Sequence, residues 1–264
     1  MRAAGRAAPV NEIPPAAPTA LIEARRLFRL HAGSADRAPV LNDVSLQVAE
    51  GRFAVVMGPS GSGKSTLLHL LCGLDPPSSG QVFLAGQALA QLDDEGRTLL
   101  RRAHVGFVFQ FFNLVPNLTV AENVALPLLL QGVTRPRKDE RFVATTKMFH
   151  LDDKLDRMPH ELSGGEMQRT SIARAVVHRP RVVFADEPIG NLSTSAGLEV
   201  MQFFRRITDE LGRTVVLVTH NPRDARFADE LHFLKDGRID PTQSLHGDEV
   251  RDDRIHARLA ELGI

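Results

Sequence analysis

Arg52-Phe-Ala-Val-Val-Met57, then Gly58-Pro-Ser-Gly-Ser-Gly-Lys-Ser65, then the leucine-rich Thr66 to Cys72, form one unbroken stretch on which the fold turns. The first part is a continuous apolar run, as a strand buried on both faces of a parallel sheet requires. The second matches G-x-x-x-x-G-K-[ST], a loop whose glycines let successive backbone N–H groups curl around phosphate oxygens. The third reads as a helix, ended by Gly73 and Pro76-Pro77. Strand, glycine-rich turn and helix in that order bring loop amides and the positive end of a helix to one point. Lys64 is then set to reach the β- and γ-phosphates of ATP, and Ser65 to offer a hydroxyl to Mg²⁺. Gly58, Pro59, Ser60, Gly61, Ser62, Gly63, Lys64, Ser65 and Thr66 make up the expected cradle.

Outward from this stretch the pattern repeats. Val105-Gly-Phe-Val-Phe109, Val182-Val-Phe-Ala185 and Thr214-Val-Val-Leu-Val-Thr219 read as further strands. Helices are expected over Gly164 to His178, stopped by Pro180, and over Ser195 to Leu211. This alternation implies an α/β fold with a parallel sheet and right-handed crossovers. Towards the N-terminus, Ala20 to Leu30, Val44 to Val48 and Gln81 to Ala85 read as strands, and Ala88 to Arg102 as a polar helix. Between about 111 and 160 strand signals fade, which suggests a helical subdomain inserted into the core. Residues 241–264 are charged, with sparse apolar positions at Val250, Ile255, Leu259 and Leu262, and are expected to form a peripheral helix. Residues 1–20, rich in Ala and Pro, read as a disordered tail or as an over-extended start site.

Bulk properties exclude several classes. Lys plus Arg equals Asp plus Glu at 32 each, so the global basic footprint of a nucleic-acid binder is missing and no nucleic-acid partner is expected. The single cysteine, Cys72, rules out an internal disulfide. No apolar run approaches the roughly 20 residues that span a bilayer. If the protein serves a membrane, it does so through a partner.

Two further stretches carry chemistry. Strand Val182 to Ala185 ends in Asp186-Glu187, and ligands in such sheets bind at the carboxyl ends of strands. Side chains alternate along a strand, so the two carboxylates have different reaches. Asp186 is expected to hold Mg²⁺ and Glu187 to polarise an attacking water as general base. Leu162-Ser-Gly-Gly-Glu-Met-Gln-Arg169 starts a helix with Ser163 as N-cap, and Gly164 and Gly165 are expected to expose amides there. One nucleotide does not need two such helix tips from the same subunit. A dimer, in which each copy's second tip closes over the other's ATP, explains the pair; an ordinary capped helix is the plainer reading.

With these motifs in hand, the sequence resembles an ABC ATPase over roughly Leu21 to Asp240. Gly58 to Ser65 resembles the Walker A motif, Leu162 to Gln168 the ABC signature and Val182 to Glu187 Walker B. Gln110 resembles the Q-loop glutamine and His220 the switch histidine. Phe109 to Val124 and Ala185 to Leu192 are similar to the subfamily of lipoprotein-releasing and macrolide-exporting ATPases, which also holds a cell-division ATPase. The resemblance implies a P-loop NTPase parallel-sheet core, an N-terminal antiparallel β subdomain and an inserted α-helical subdomain. It implies that Gln110 touches Mg²⁺ or water, that His220 contacts the γ-phosphate, and that Ser163, Gly164, Gly165 and Gln168 meet ATP across a dimer.

Two departures stand out. Ser193 occupies a position where members commonly carry Asp. Members also commonly stack adenine on a Tyr, and this chain has neither Tyr nor Trp; His31 is the choice by position, with a solvent-exposed loop histidine as the alternative. Phe111, Phe112, Leu114, Val115 and Leu118 either pack into the core or form, with Gln110, a groove for a membrane permease. The function expected is an ATPase subunit on the cytoplasmic face of the inner membrane, working as a homodimer and powering export or extraction of a lipoprotein, peptide, drug or lipid. The alternative is a cell-division ATPase that signals through a transmembrane partner without transport.

Overall fold

The computed structural model describes residues 20–30 and 38–264, so the expected N-terminal tail, apart from Ala20, lies outside the described residues. Burial patterns decide where each strand goes. β1 (Ala20–Arg29) is followed by β2 (Leu41–Ala49), which buries Val44, Leu46 and Val48 and exposes Ser45 and Gln47. One dry face and one wet face suit an antiparallel sheet. β3 (Phe53–Met57) is buried at every position and leads through the glycine-rich loop into α1 (Lys64–Leu71). β4 (Ser79–Leu84) and β5 (Gln87–Ala88) complete a four-stranded antiparallel sheet in the order β2-β1-β4-β5. α2 (Asp94–His104) runs directly into β6 (Val105–Val108). Three helices follow: α3 (Val120–Leu130), α4 (Glu140–Met148) and α5 (Gly164–Val176). Then come β7 (Val182–Asp186), α6 (Thr194–Asp209), β8 (Thr214–Thr219), α7 (Pro222–Ala225), β9 (Glu230–Lys235), β10 (Arg238–Ile239), β11 (Leu245–His246) and α8 (Asp252–Leu262).

The central sheet has the order β10-β9-β3-β8-β7-β6, with β11 also on β9. β9, β3, β8, β7 and β6 are parallel; β10 and β11 run antiparallel to β9. Period-two alternation splits the interior into two cores. Phe53, Val55 and Met57 of β3 face a core shared with α3, α5 and α6, whereas Ala54 and Val56 face one shared with α1, β1 and β2. Fully buried side chains such as Phe53, Phe184 and Phe204 each contribute roughly 1.5–3 kcal/mol of burial.

Several boundaries differ from the sequence reading. α1 begins at Lys64 rather than Thr66, because Gly63, at φ 101, ends the loop as its N-cap. Ala88 to Leu92 is not helical; it closes β5 and makes a 3₁₀ turn over Leu89–Gln91. The helix waits for Asp93, whose carboxylate accepts the Gly96 amide at 2.7 Å. β9 has polar ends and lacks an apolar run, yet its four inner residues, His232 included, are buried. The C-terminal segment is more than a peripheral helix: β11 adds to the β9 edge, and Ile255 and Leu259 of α8 enter the core that holds Phe53 and Phe204. No helix among the described residues is long and apolar enough to cross a membrane.

Candidate functional site

β3, β7 and β8 are parallel neighbours in register, with Met57 beside Thr219 and Asp186 beside Val218. The loop after Met57, the Asp186-Glu187 pair and His220 therefore emerge at one edge. Two glycines of the loop stand where a Cβ would collide with backbone. A Cβ at Gly58 would lie 2.1 Å from the Leu234 carbonyl oxygen, and one at Gly63 would lie 2.8 Å from the Val40 oxygen. The Lys64 ammonium is buried and donates to the carbonyls of Gly58 (2.9 Å) and Pro59 (3.0 Å). Burial holds its pKa below the usual lysine value, against the opposing pull of Glu187 and Asp186. Ser62 Oγ is buried and has no hydrogen-bond partner among the described residues.

The carboxylates sit around this loop. Ser65 Oγ donates to Asp186 Oδ1 at 3.0 Å. Burial raises the Asp186 pKa, and the Ser65 hydrogen bond is the largest opposing influence. Glu187 lies 3.7 Å from Lys64 Nζ through Oε1, while its Oε2 is 3.0 Å from His220 Nδ1. It stands at φ 41, a sparsely populated conformation for a non-glycine residue, and its amide donates to the Val218 carbonyl at 3.0 Å. Gln110 shares the pocket, and its carbonyl accepts from Asn191 Nδ2 at 3.1 Å. The pocket encloses about 780 Å³ between the loop, Gln110, Glu187, Val40 and Gly237.

Ser65 and Asp186 are oxygen donors of the kind Mg²⁺ prefers. The described residues contain no cluster of three or more His, Cys, Asp or Glu able to hold a metal alone. That combination fits an ion that keeps waters and borrows phosphate oxygens from its substrate.

The second helix tip is arranged differently. Ser163 Oγ accepts the Glu166 amide at 3.3 Å; Glu166 Oε2 accepts the Ser163 amide at 2.8 Å and its hydroxyl at 2.7 Å. These bonds hold the Glu166 carboxyl below its ordinary value. Ser163, Gly164 and Gly165 do not line the Lys64 pocket of their own chain. Gln168, expected beside them, is fully buried with neither amide atom bonded. It faces the interior because α5 is packed against β6, α3 and α6, so it is absent from the surface that a second copy would meet.

Ser193 is the N-cap of α6 and makes no capping hydrogen bond; its Oγ lies 3.4 Å from Ser195 Oγ. None of the five apolar residues after Gln110 is fully buried, and Phe111 is 66% exposed. Arg174 donates to the carbonyls of Phe112 and Asn113, which holds this segment on α5. His31 lies outside the described residues.

Sequence reasoning missed two features. Val40 and Gly237 rim the pocket from distant segments, which no local motif signals. Asp224, on α7, is 2% exposed and accepts the Thr219 hydroxyl at 2.7 Å. Burial pushes its carboxyl up to about 6, against the pull of that hydrogen bond and of His220 and Arg226. Asn221-Pro222 marks a helix start, but nothing local shows that the acid in its first turn is buried.

The family model described as ABC transporter matches residues 41–190. The ABC transporter ATP-binding protein MJ0796 of Methanocaldococcus jannaschii is 41% identical over 215 residues, 80% of this chain and 92% of the relative. Its dimeric post-hydrolysis structure, bound to ADP and Pi, superposes with a TM-score of 0.76 at 37% identity, covering 85% of this chain and 98% of that one. The bacitracin export ATP-binding protein of Halalkalibacterium halodurans is 36% identical over 232 residues, 88% of this chain and 91% of the relative. The macrolide export ATP-binding/permease protein of Syntrophobacter fumaroxidans is 42% identical over 230 residues, 86% of this chain and 32% of the relative.

Proposed function

The chain belongs to the ABC transporter family and is an ATP-hydrolysing subunit that powers a transporter; on that premise we propose how its residues divide the work and what they work with. The carrying observation is the line Lys64–Glu187–His220 running beside the Ser65–Asp186 pair at one sheet edge. The amides of Gly58 to Thr66 and the α1 tip bind the β- and γ-phosphates of ATP. Lys64 exchanges its bonds to the loop carbonyls for phosphate oxygens. Ser65 and Asp186 hold Mg²⁺, with Gln110 reaching it directly or through water; the ion neutralises charge on the β- and γ-oxygens. Glu187, oriented by His220, takes the proton of the attacking water, and His220 then faces the γ-phosphate.

A second copy of the chain supplies Ser163, Gly164 and Gly165 to the same triphosphate, as the dimeric assembly of the relative MJ0796 supports. Closure of that homodimer moves Gln110 and the exposed Phe111 to Leu118 segment, where a membrane permease docks. The protein sits peripherally on the cytoplasmic face of the inner membrane. Export of a peptide, drug, lipid or lipoprotein is the direction that the bacitracin and macrolide relatives favour.

Glu187→Gln tests the reading. Turnover should fall about 10²–10⁴-fold while ATP still binds. With saturating ATP and Mg²⁺ this variant should elute as a dimer in size-exclusion chromatography. A strict monomer there would remove the two-copy site.

A further inference from the structure

Asp224 is a buried carboxylate with no part in the scheme above. Among the described residues, its one side-chain hydrogen bond comes from the Thr219 hydroxyl at 2.7 Å. That hydroxyl in turn accepts the Asn221 amide at 3.0 Å. The two residues flanking His220 are thus tied to each other, and both to α7. The Asp224 amide also donates to the Asn221 carbonyl at 3.1 Å, which closes the turn. His220 lies inside this loop, with its imidazole 54% exposed and 3.0 Å from Glu187. A half-exposed imidazole has little packing to hold it, so its direction is set by the backbone bend at 219–221.

We propose that Asp224 is a positioning residue for the ATPase reaction: through the Thr219 hydroxyl it fixes the bend that presents His220 to Glu187. The inference rests on the reading of Glu187 and His220 given above. An apolar residue would fill the same buried place at lower cost. Burial pushes the Asp224 carboxyl up to about 6, so at neutral pH the fold carries a charge it would be more stable without. Asp224 borders the cavity of about 660 Å³ that is also lined by Glu187 and His220, and Arg226, Glu187 and the His220 imidazole are the charged and titratable groups that face it.

The test is steady-state ATP hydrolysis by the full chain, with ATP affinity measured separately. Asp224→Ala and Thr219→Val should each lower kcat about tenfold and leave ATP affinity within about twofold, as misaligned catalytic groups do. Asp224→Asn, whose amide oxygen accepts the same hydroxyl, should keep most of the wild-type kcat. The double variant Thr219→Val with Asp224→Ala should be no slower than either single one. Unchanged kcat, losses that multiply, or a loss in ATP affinity in place of kcat would each overturn the proposal. Should Asp224→Ala fail to fold, Thr219→Val decides alone by the same kcat criterion. His220→Ala separates the two levels: if it leaves kcat intact, the site reading itself falls, whereas a slow His220→Ala beside a fast Asp224→Ala removes only the positioning role.

Discussion

The N-terminal tips of α1 and α5 are both glycine-rich, and in the structure they are electrostatic opposites. The α1 tip begins at Gly63, has no acidic residue in its first turn and carries Lys64 at its opening. Its amides and dipole are free for an anion. The α5 tip begins at Ser163 and is closed by its own capping box, with the Glu166 carboxylate on the amide that an anion would use. One tip is therefore a complete phosphate site within a single chain. The other already holds its own anion and gains a phosphate only if a partner's closure brings one to it. On the function proposed above, this difference would let the chain bind ATP alone and still need a second copy to hydrolyse it.

Removing the leading contact at each tip should expose this contrast most sharply. Lys64→Ala deletes a buried charge that makes three polar contacts, to Gly58, Pro59 and Glu187. ATP affinity should fall by about tenfold or more, since charge-assisted hydrogen bonds are worth roughly 1.5–3 kcal/mol. Ser163→Ala should leave ATP affinity of the monomer unchanged, yet lower kcat by about tenfold and weaken ATP-driven dimerisation. Equilibrium binding by the monomer, set beside turnover at saturating ATP, checks both. If Ser163→Ala weakened monomer binding as much as Lys64→Ala, the two tips would not differ as described.

A gentler pair probes backbone approach. Gly58→Ala drives a Cβ to 2.1 Å from a backbone oxygen, so the β9 end must shift. Overpacking of that kind costs about 1–3 kcal/mol, or roughly 2–6 °C in Tm for a chain of this size. Gly164→Ala adds a Cβ that meets, among the described residues, only Leu192 at 3.4 Å and Phe112 at 3.9 Å within 4 Å. It also gains helix propensity, so its Tm should move by no more than about 2 °C. Thermal unfolding of the two variants checks the contrast.

Much of this was legible from residue patterns, and the exceptions have physical reasons. The apolar runs of β3, β7 and β8 named the central strands, because parallel strands covered on both faces admit few polar residues. β9 escaped notice since Glu230, His232 and Lys235 interrupt its pattern, and His232 is buried all the same. The glycine-rich loop between β3 and α1 was readable because its pattern is local: closely spaced glycines, a lysine and a serine between a strand and a helix. Asp224 was not, because its meaning depends on its burial within the first turn of α7 and on Thr219 across the preceding bend. Gln168 misled for the converse reason. Proximity to a surface motif suggested exposure, while the packing of α5 against the sheet turned that side chain inward.

The smallest expected effect touches the charge that distinguishes the two tips. Glu166→Gln keeps an oxygen able to accept the Ser163 amide but removes the negative charge. In the fold, the Ser163 amide and hydroxyl hold the Glu166 pKa below its ordinary 4.5. A lowered carboxylate pKa stabilises the fold above the unfolded value, and that stabilisation is lost as pH falls through the folded value. The variant should therefore be less stable than the wild type at pH 7 by a few tenths of a kcal/mol, the scale of a solvent-screened charge at a helix N-terminus. The gap should narrow as pH falls below 4.5. Urea midpoints at pH 7 and at progressively lower pH would show this. A gap that widened on acidification would mean that Glu166 is not the anion closing the α5 tip. With ATP present the same variant should dimerise more readily, because the incoming phosphate no longer meets a carboxylate already seated on the amide it needs.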